Sequence, residues 1–209
     1  MKQLFSVLLM LWYLGVLSAQ ELKPLELLAP DKSRGLPVMQ ALSVKASVRE
    51  YSKRPLLLQD LSDIVWAANG INRPDEGKRT ASSALNAQDV DVYVFMEQGV
   101  YVYNAAGQVL DPVAGGDLRE LVGKNDAPVT LVLISDVSRF RFGSDAQRTS
   151  WANIDVGIVS QNISVFCAGT GLKTCPKAGF SNMDKLREML QLKPTQLVIL
   201  NHPVGYAKE

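Results

Sequence analysis

The segment from Trp151 to Thr170 constrains the fold more than any other part of the chain. It is long, helical in its residue preferences and apolar on most sides. A helix with apolar side chains around most of its circumference must be buried along much of its length. Something must therefore surround it. The continuous apolar run Val129–Ile134 has the signature of a central strand. Val90–Met96 and Val100–Tyr103 alternate as half-buried strands, and the short link Glu97-Gln98-Gly99 suits an antiparallel hairpin. A second turn, Ala105-Ala106-Gly107, leads into Gln108–Leu110. Further helices fit Pro37–Val44, Leu58–Asn69 (stopped by Gly70 as a C′ residue), Asp117–Val122 and Met183–Leu190, and Leu197–Leu200 reads as a last buried strand. Residues 72–80 read as a polar loop. Helices mixed with antiparallel-linked strands, without a regular βαβ repeat, define an α+β domain.

Composition narrows the function classes. Of 209 residues, 47% are apolar, and 22 basic side chains face 21 acidic ones. That excludes a disordered chain and leaves no basic excess for nucleic acid. The single histidine, His202, excludes a multi-histidine metal site, and two cysteines are too few for a disulfide scaffold. We expect no metal site, and His202, beside Pro203 after the last strand, reads as structural. Asp155 and Gln161 of the long helix read as packing or interface groups.

The N-terminus has its own logic. Lys2 precedes an uncharged, mostly apolar run from Leu4 to Leu17, followed by small residues at Ser18-Ala19. This is the layout of a secretory signal peptide over residues 1–19, with no stable membrane anchor after cleavage. A spanning helix needs about 20 apolar residues. The expected mature unit is one domain over residues 20–209, exported to the bacterial periplasm. Residues 20–35 are aperiodic, like an arm on a surface. In an oxidising compartment Cys167 and Cys175 could pair, or remain two small buried hydrophobes.

Three segments carry candidate chemistry. If Lys45–Tyr51 is extended, Lys45, Ser47 and Arg49 point the same way and suit a phosphate, although a solvated edge would look the same. Ser82, Ser83 and Asn86, entering the Val90 strand, could meet the edge of a ring or simply cap a loop. Gly169–Phe180 places glycines and free backbone N–H groups near a helix start, or merely connects two helices.

Taken in order, ALSVKASVREY, SSALN, IDVGIVSQNISVFCAGTGL, CPKAGF and the VGY of the final strand resemble the FMN-dependent nitroreductase family over roughly residues 25–206. LSDIVWAANGINR, RTASSA and GVYVYN are most similar to its SagB-type dehydrogenase branch. The resemblance implies a central mixed, mostly antiparallel sheet flanked by helices. It also implies a homodimer with FMN at the interface, which would explain the long apolar helix. It assigns Lys45, Ser47 and Arg49 to the FMN phosphate, and Ser82, Ser83 and Asn86 to contact from the partner subunit. Pro176, Lys177, Ala178 and Gly179 become the loop facing flavin N5, and Lys208 a C-terminal phosphate contact. Two departures matter: Lys45 stands where an Arg is usual, losing a bidentate fork, and Ala178 stands where many relatives carry Glu. The implied activity is ping-pong electron transfer from a reduced donor to a small organic acceptor such as a nitroaromatic or quinone, with no catalytic side chain. The alternatives are an exported flavin-binding protein without turnover, or a specialised oxidase or flavin-modifying enzyme on this fold.

Overall fold

The computed structural model describes residues 22–208. The expected signal peptide, residues 1–19, lies outside them. The core is a seven-stranded sheet ordered β1 (Leu25–Glu26), β6 (Val109–Gly115), β5 (Gly99–Asn104), β4 (Val90–Met96), β7 (Val129–Asp136), β9 (Gln196–Gly205) and β8 (Lys173–Thr174). Each paired neighbour is antiparallel. The α+β expectation holds, and the sheet is antiparallel throughout rather than mixed. The apolar run at Val129 is its centre: every residue from Val129 to Ser135 is buried. Each fully buried aliphatic side chain there contributes about 1.5–3 kcal/mol relative to exposure.

Two helices pack on one face of the sheet, α2 (Leu58–Asn69) and α4 (Asp145–Thr170). Helix α4 begins six residues before the apolar pattern does. Ser144 caps it: its hydroxyl accepts from the Gln147 N–H, and the Gln147 side chain bonds back to Ser144. This S-x-x-Q capping box is visible in the sequence, and the apolar count at Trp151 overlooked it. Gly171, at φ 82°, ends the helix in a left-handed turn. Within one chain α4 is not buried all round. Its buried stripe runs through Ala152, Asp155, Val156, Val159, Ser160, Ile163, Ser164 and Cys167, whereas Ile154 on the opposite side is 57% exposed. The short helix α1 (Val38–Val44) buries only Ala41 and leaves Val38, Met39, Leu42 and Val44 exposed.

Other boundaries differ for physical reasons. Gly70 does stop α2, but in an extended conformation (φ −76°); a side chain there is excluded, because a Cβ would lie 2.3 Å from the Trp66 ring. Residues 72–80 hold a small hairpin of β2 (Ile71–Arg73) and β3 (Lys78–Arg79). Strand β9 continues past Leu200 through the polar pair Asn201 and His202, both buried. The opposite sheet face packs against α3 (Arg119–Val122) and α5 (Met183–Met189). The N-terminal arm does lie on the surface, fixed by Arg34, whose guanidinium bonds Asp60 at 2.6 Å and Asp63 at 2.8 Å. Cys167 and Cys175 are free, buried thiols, so no disulfide closes this region.

Candidate functional site

The 45–51 segment forms no ladder with the sheet. Its backbone is tied at Val48, whose N–H donates to the Thr174 carbonyl at 2.9 Å, and the Tyr51 hydroxyl donates to the Val48 carbonyl at 2.5 Å. Lys45, Ser47 and Arg49 remain exposed around the half-buried Val48. A cavity of about 930 Å³ opens beside them, and three of the candidate residues line it: Arg49, Lys177 and Lys208. They come from three separate parts of the chain. On the same wall Lys53 faces Asp126 at 3.6 Å and Asp117 holds Arg119 at 2.5 Å, while Glu50, Glu97, Glu120 and Lys124 also line it. Arg49, Lys177 and Lys208 have no ion-pair partner among the described residues. Cations free of a direct ion pair on a concave surface can donate charge-assisted hydrogen bonds to a phosphate or another anion. Lys45 and Ser47 stand on the adjoining segment and do not line the cavity.

The Cys175–Phe180 connection is held from beneath by β9. Lys177 and Asn201 exchange two backbone hydrogen bonds, at 2.9 and 2.8 Å. The Asn201 Nδ2–H donates to the Gly179 carbonyl at 2.9 Å. Pro176, Ala178 and Gly179 are exposed, and the Ala178 and Gly179 N–H groups have no acceptor among the described residues. A Cβ built on Gly179 meets nothing within 4 Å. These donors therefore face open space, where an electron-rich group can accept from them.

His202, next along β9, supports the same region from within the core. Its Nε2 lies 2.8 Å from Ser160 Oγ on α4, and its Nδ1 lies 3.2 Å from Thr174 Oγ1 on β8. Burial, and then the positive charge of Lys45, push its pKa down to about 3, so the ring is neutral at ordinary pH. A neutral imidazole bonded on both sides is a structural group, as expected. Thr174 joins this track to the 45–51 segment, because its carbonyl is the acceptor for Val48. Asn201 and His202 carried no signal in the sequence beyond being polar residues in an apolar strand pattern.

The Ser82–Asn86 segment lies elsewhere in the chain. None of its residues lines the cavity that holds Arg49. Ser82 and Asn86 are exposed, while the Ser83 hydroxyl accepts from the Gln88 N–H at 2.8 Å. Leu85 (φ 56°), Asn86 (φ 53°) and Gln88 (φ 48°) all occupy the left-handed region. For non-glycine residues that conformation is uncommon and costs about 1–3 kcal/mol each where it is strained. Beneath the segment the Ala84 N–H donates to Asp155 Oδ2 at 2.8 Å.

Comparison with known proteins sets these elements in a family context. The family profile described as the nitroreductase family matches residues 43–206. That span includes every candidate residue except Lys208. A nitroreductase-family protein of Methanocaldococcus jannaschii is 28% identical over 195 residues, covering 87% of this chain and 96% of its own. A nitroreductase crystal structure from Ralstonia eutropha superposes with a TM-score of 0.84 at 30% identity, covering 92% of each chain. At 18% identity, a nitroreductase family protein from Clostridium difficile shares the fold with a TM-score of 0.60, covering 83% of this chain and 86% of its own.

Proposed function

The chain belongs to the nitroreductase family and is an oxidoreductase of that type, and on that premise we propose that it binds FMN between two copies of itself. It would pass electrons by ping-pong from a reduced donor to a small organic acceptor such as a nitroaromatic or quinone. The observation that carries the cofactor reading is the convergence of Arg49, Lys177 and Lys208, none of them in an ion pair among the described residues, on one cavity. A dianionic phosphate there would accept charge-assisted hydrogen bonds, each contributing about 1.5–3 kcal/mol. The donor set fits the cofactor's other end too. The unpaired N–H groups of Ala178 and Gly179 suit the electron-rich edge of a flavin, and the open space at Gly179 leaves room for a flat ring.

When bound, FMN supplies the electron-accepting and electron-donating chemistry itself. The chain's own residues bind, orient and tune. Arg49 and Lys208 would hold the phosphate, with Lys45 and Ser47 closing over it from the adjoining segment. Pro176 and Lys177 shape the loop that presents the Ala178 and Gly179 donors. Those donors, with nearby positive charge, favour added negative charge on the ring. No side-chain nucleophile or base is needed, and His202, neutral and enclosed, takes no part in proton transfer.

The two-chain arrangement is supported by surface that one chain leaves uncovered. Val38, Met39, Leu42, Val44, Leu85 and Ile154 are large apolar side chains at 44–73% exposure. Apolar surface of this kind marks an association site. A second copy would bring its own Ser82, Ser83 and Asn86 to the flavin, which suits their distance from the cavity in a single chain. Export to the periplasm completes the proposal. It rests on residues 1–19 and would require a donor other than a cytoplasmic nicotinamide pool.

The test begins with colour and mass. The purified protein is expected to carry flavin absorbance and to run as a dimer. Bleaching by a reductant and recovery on adding a quinone distinguish turnover from binding alone. Arg49→Ala should weaken FMN affinity roughly ten- to a hundredfold, the value of one charge-assisted bond. A colourless protein that takes up no added FMN, or an Arg49→Ala variant with unchanged affinity, overturns the cofactor reading.

A further inference from the structure

We infer that Tyr206 is a positioning residue for the phosphate-binding cations: latched by its hydroxyl to Asp60, and through Asp60 to Arg34 of the N-terminal arm, it sets Lys208 and the Arg49 segment on the cavity. Three parts of the chain meet at Asp60. From the arm, the Arg34 Nη2–H donates to Asp60 Oδ1 at 2.6 Å and the Nη1–H to Asp63 Oδ2 at 2.8 Å. From the C-terminal side, the Tyr206 hydroxyl donates to the other Asp60 oxygen, Oδ2, at 2.5 Å. From the stretch before α2, the Leu57 N–H donates to that same hydroxyl at 3.1 Å.

Each of these groups needs the others. Asp60 is 4% exposed and Asp63 2%, and a buried carboxylate is costly unless cations and donors surround it. The Arg34 guanidinium is a rigid fork and answers one oxygen of each acid. The Asp31 N–H and the Gln59 amide answer Asp63 Oδ1, which leaves Asp60 Oδ2 to Tyr206. Helix α2 has no side-chain cap at Leu57, so the Tyr206 oxygen also takes up a backbone N–H that the helix start leaves free. The Arg54 guanidinium lies over the Tyr206 ring, 4.3 Å from its centroid, and restrains the ring from its face.

The latch reaches the cavity through the backbone. The β9 ladder ends at Gly205, and Ala207 and Lys208 beyond it are exposed. Among the described residues, Tyr206 is the last hydrogen-bonded residue before Lys208, which lines the cavity. The Tyr206 carbonyl accepts from the Ser52 N–H at 3.0 Å, and Ser52 lies between Arg49 and Lys53, two further lining residues. Gly205 allows this close approach: a Cβ there would lie 2.9 Å from Pro128 and 3.3 Å from the Tyr51 Cβ. Tyr206 itself does not line the cavity, so it acts through the two segments it joins. Its effect on cofactor affinity rests on the FMN site proposed above, whereas the latch does not.

The test compares two flavins. FMN and riboflavin share the ring and differ by the phosphate, so the ratio of their affinities reads the cations alone. Tyr206→Phe removes one hydroxyl and keeps the ring and the backbone carbonyl. It should bind FMN several-fold more weakly than the native chain and riboflavin equally well, so that the ratio falls. Arg34→Lys keeps the charge and loses the fork; it should lower the ratio in the same direction and by less, although Arg34 does not line the cavity. A general loosening of the fold would weaken both flavins alike and leave the ratio unchanged. The Ser52 amide gives a readout without flavin. Its acceptor, the Tyr206 carbonyl, survives in Tyr206→Phe, so faster hydrogen exchange there, with residues 177–180 unaltered, reports that the hydroxyl had fixed that carbonyl. An unchanged affinity ratio in either variant, or Ser52 exchange at the native rate in Tyr206→Phe, overturns the positioning role. If the native chain binds neither flavin, the cofactor reading fails, while Ser52 exchange still decides the latch.

Discussion

Two exposed segments carry the candidate binding groups, and they are built in opposite ways. The 176–179 loop is relaxed. None of its residues has a positive φ, and it is stitched to β9 by two backbone bonds and one Asn201 side-chain bond. The 82–88 segment is strained at Leu85, Asn86 and Gln88 and rests on buried acids. Their supports also differ in chemistry. His202, behind the first loop, is a neutral brace, whereas the second segment is tied to the buried Asp155 carboxyl through the Ala84 N–H. Acid therefore threatens the first region. A scaffold of hydrogen bonds can present backbone donors without strain. A segment that holds an unfavourable backbone needs a buried anchor.

The largest break in this comparison should come from acidification. The folded chain refuses a proton that unfolded His202 accepts below about 6.5, so its contribution to stability is present above that pH and is lost as pH falls toward about 3. The loss is on the order of a few kcal/mol. His202→Gln should show a smaller fall in urea midpoint between pH 7 and pH 4.5 than the native chain. An identical fall in both would mean that the imidazole is not the group being charged.

Asn201→Ala comes next. It strips the Gly179 carbonyl of its partner and should cost about 1–2 kcal/mol in urea unfolding, with faster hydrogen exchange across residues 177–180. Exchange spreading instead to residues 82–88 would show that the two segments are not independently supported. Leu85→Gly acts on the strained side in the other direction. Glycine adopts a positive φ freely, so stability should rise by about 0.5–1 kcal/mol. A fall would mean that the Leu85 side chain, 61% exposed in one chain, is covered in the assembly. The smallest effect belongs to Gly179→Ala. With nothing within 4 Å of the added methyl, cofactor-free stability should stay within about 0.5 kcal/mol. FMN affinity should fall, because the methyl occupies the space proposed for the ring. Unchanged affinity would move the flavin away from Gly179.

Much of the fold could be read locally. The run at Val129 gave a central strand because unbroken apolar character over so short a stretch leaves no face for water. Leu58–Asn69 gave a helix by side-chain spacing, with Gly70 as its stop. The end of β9 was not legible. Asn201, His202 and Pro203 look like a loop until Gly179, Ser160 and Thr174 are placed around them to satisfy their polar atoms. The candidate site divides the same way. The resemblance located Arg49, Lys177 and Lys208, but nothing local indicated that Asn201 and His202 carry the loop beneath them, or that Asp155 supports Ser82–Asn86.

By itself the sequence determined the α+β class, the central strand, the dominant helix and the segments that bear the binding groups, because periodicity and residue type act within a few residues. Tertiary structure alone decided which polar groups are partnered. It placed three distant cations on one cavity, made His202 a neutral brace and buried Asp89 and Asp155 in the core. The physical reason is that desolvation and charge proximity depend on what surrounds a group in space, and a buried aspartate reads in the chain as any other aspartate does.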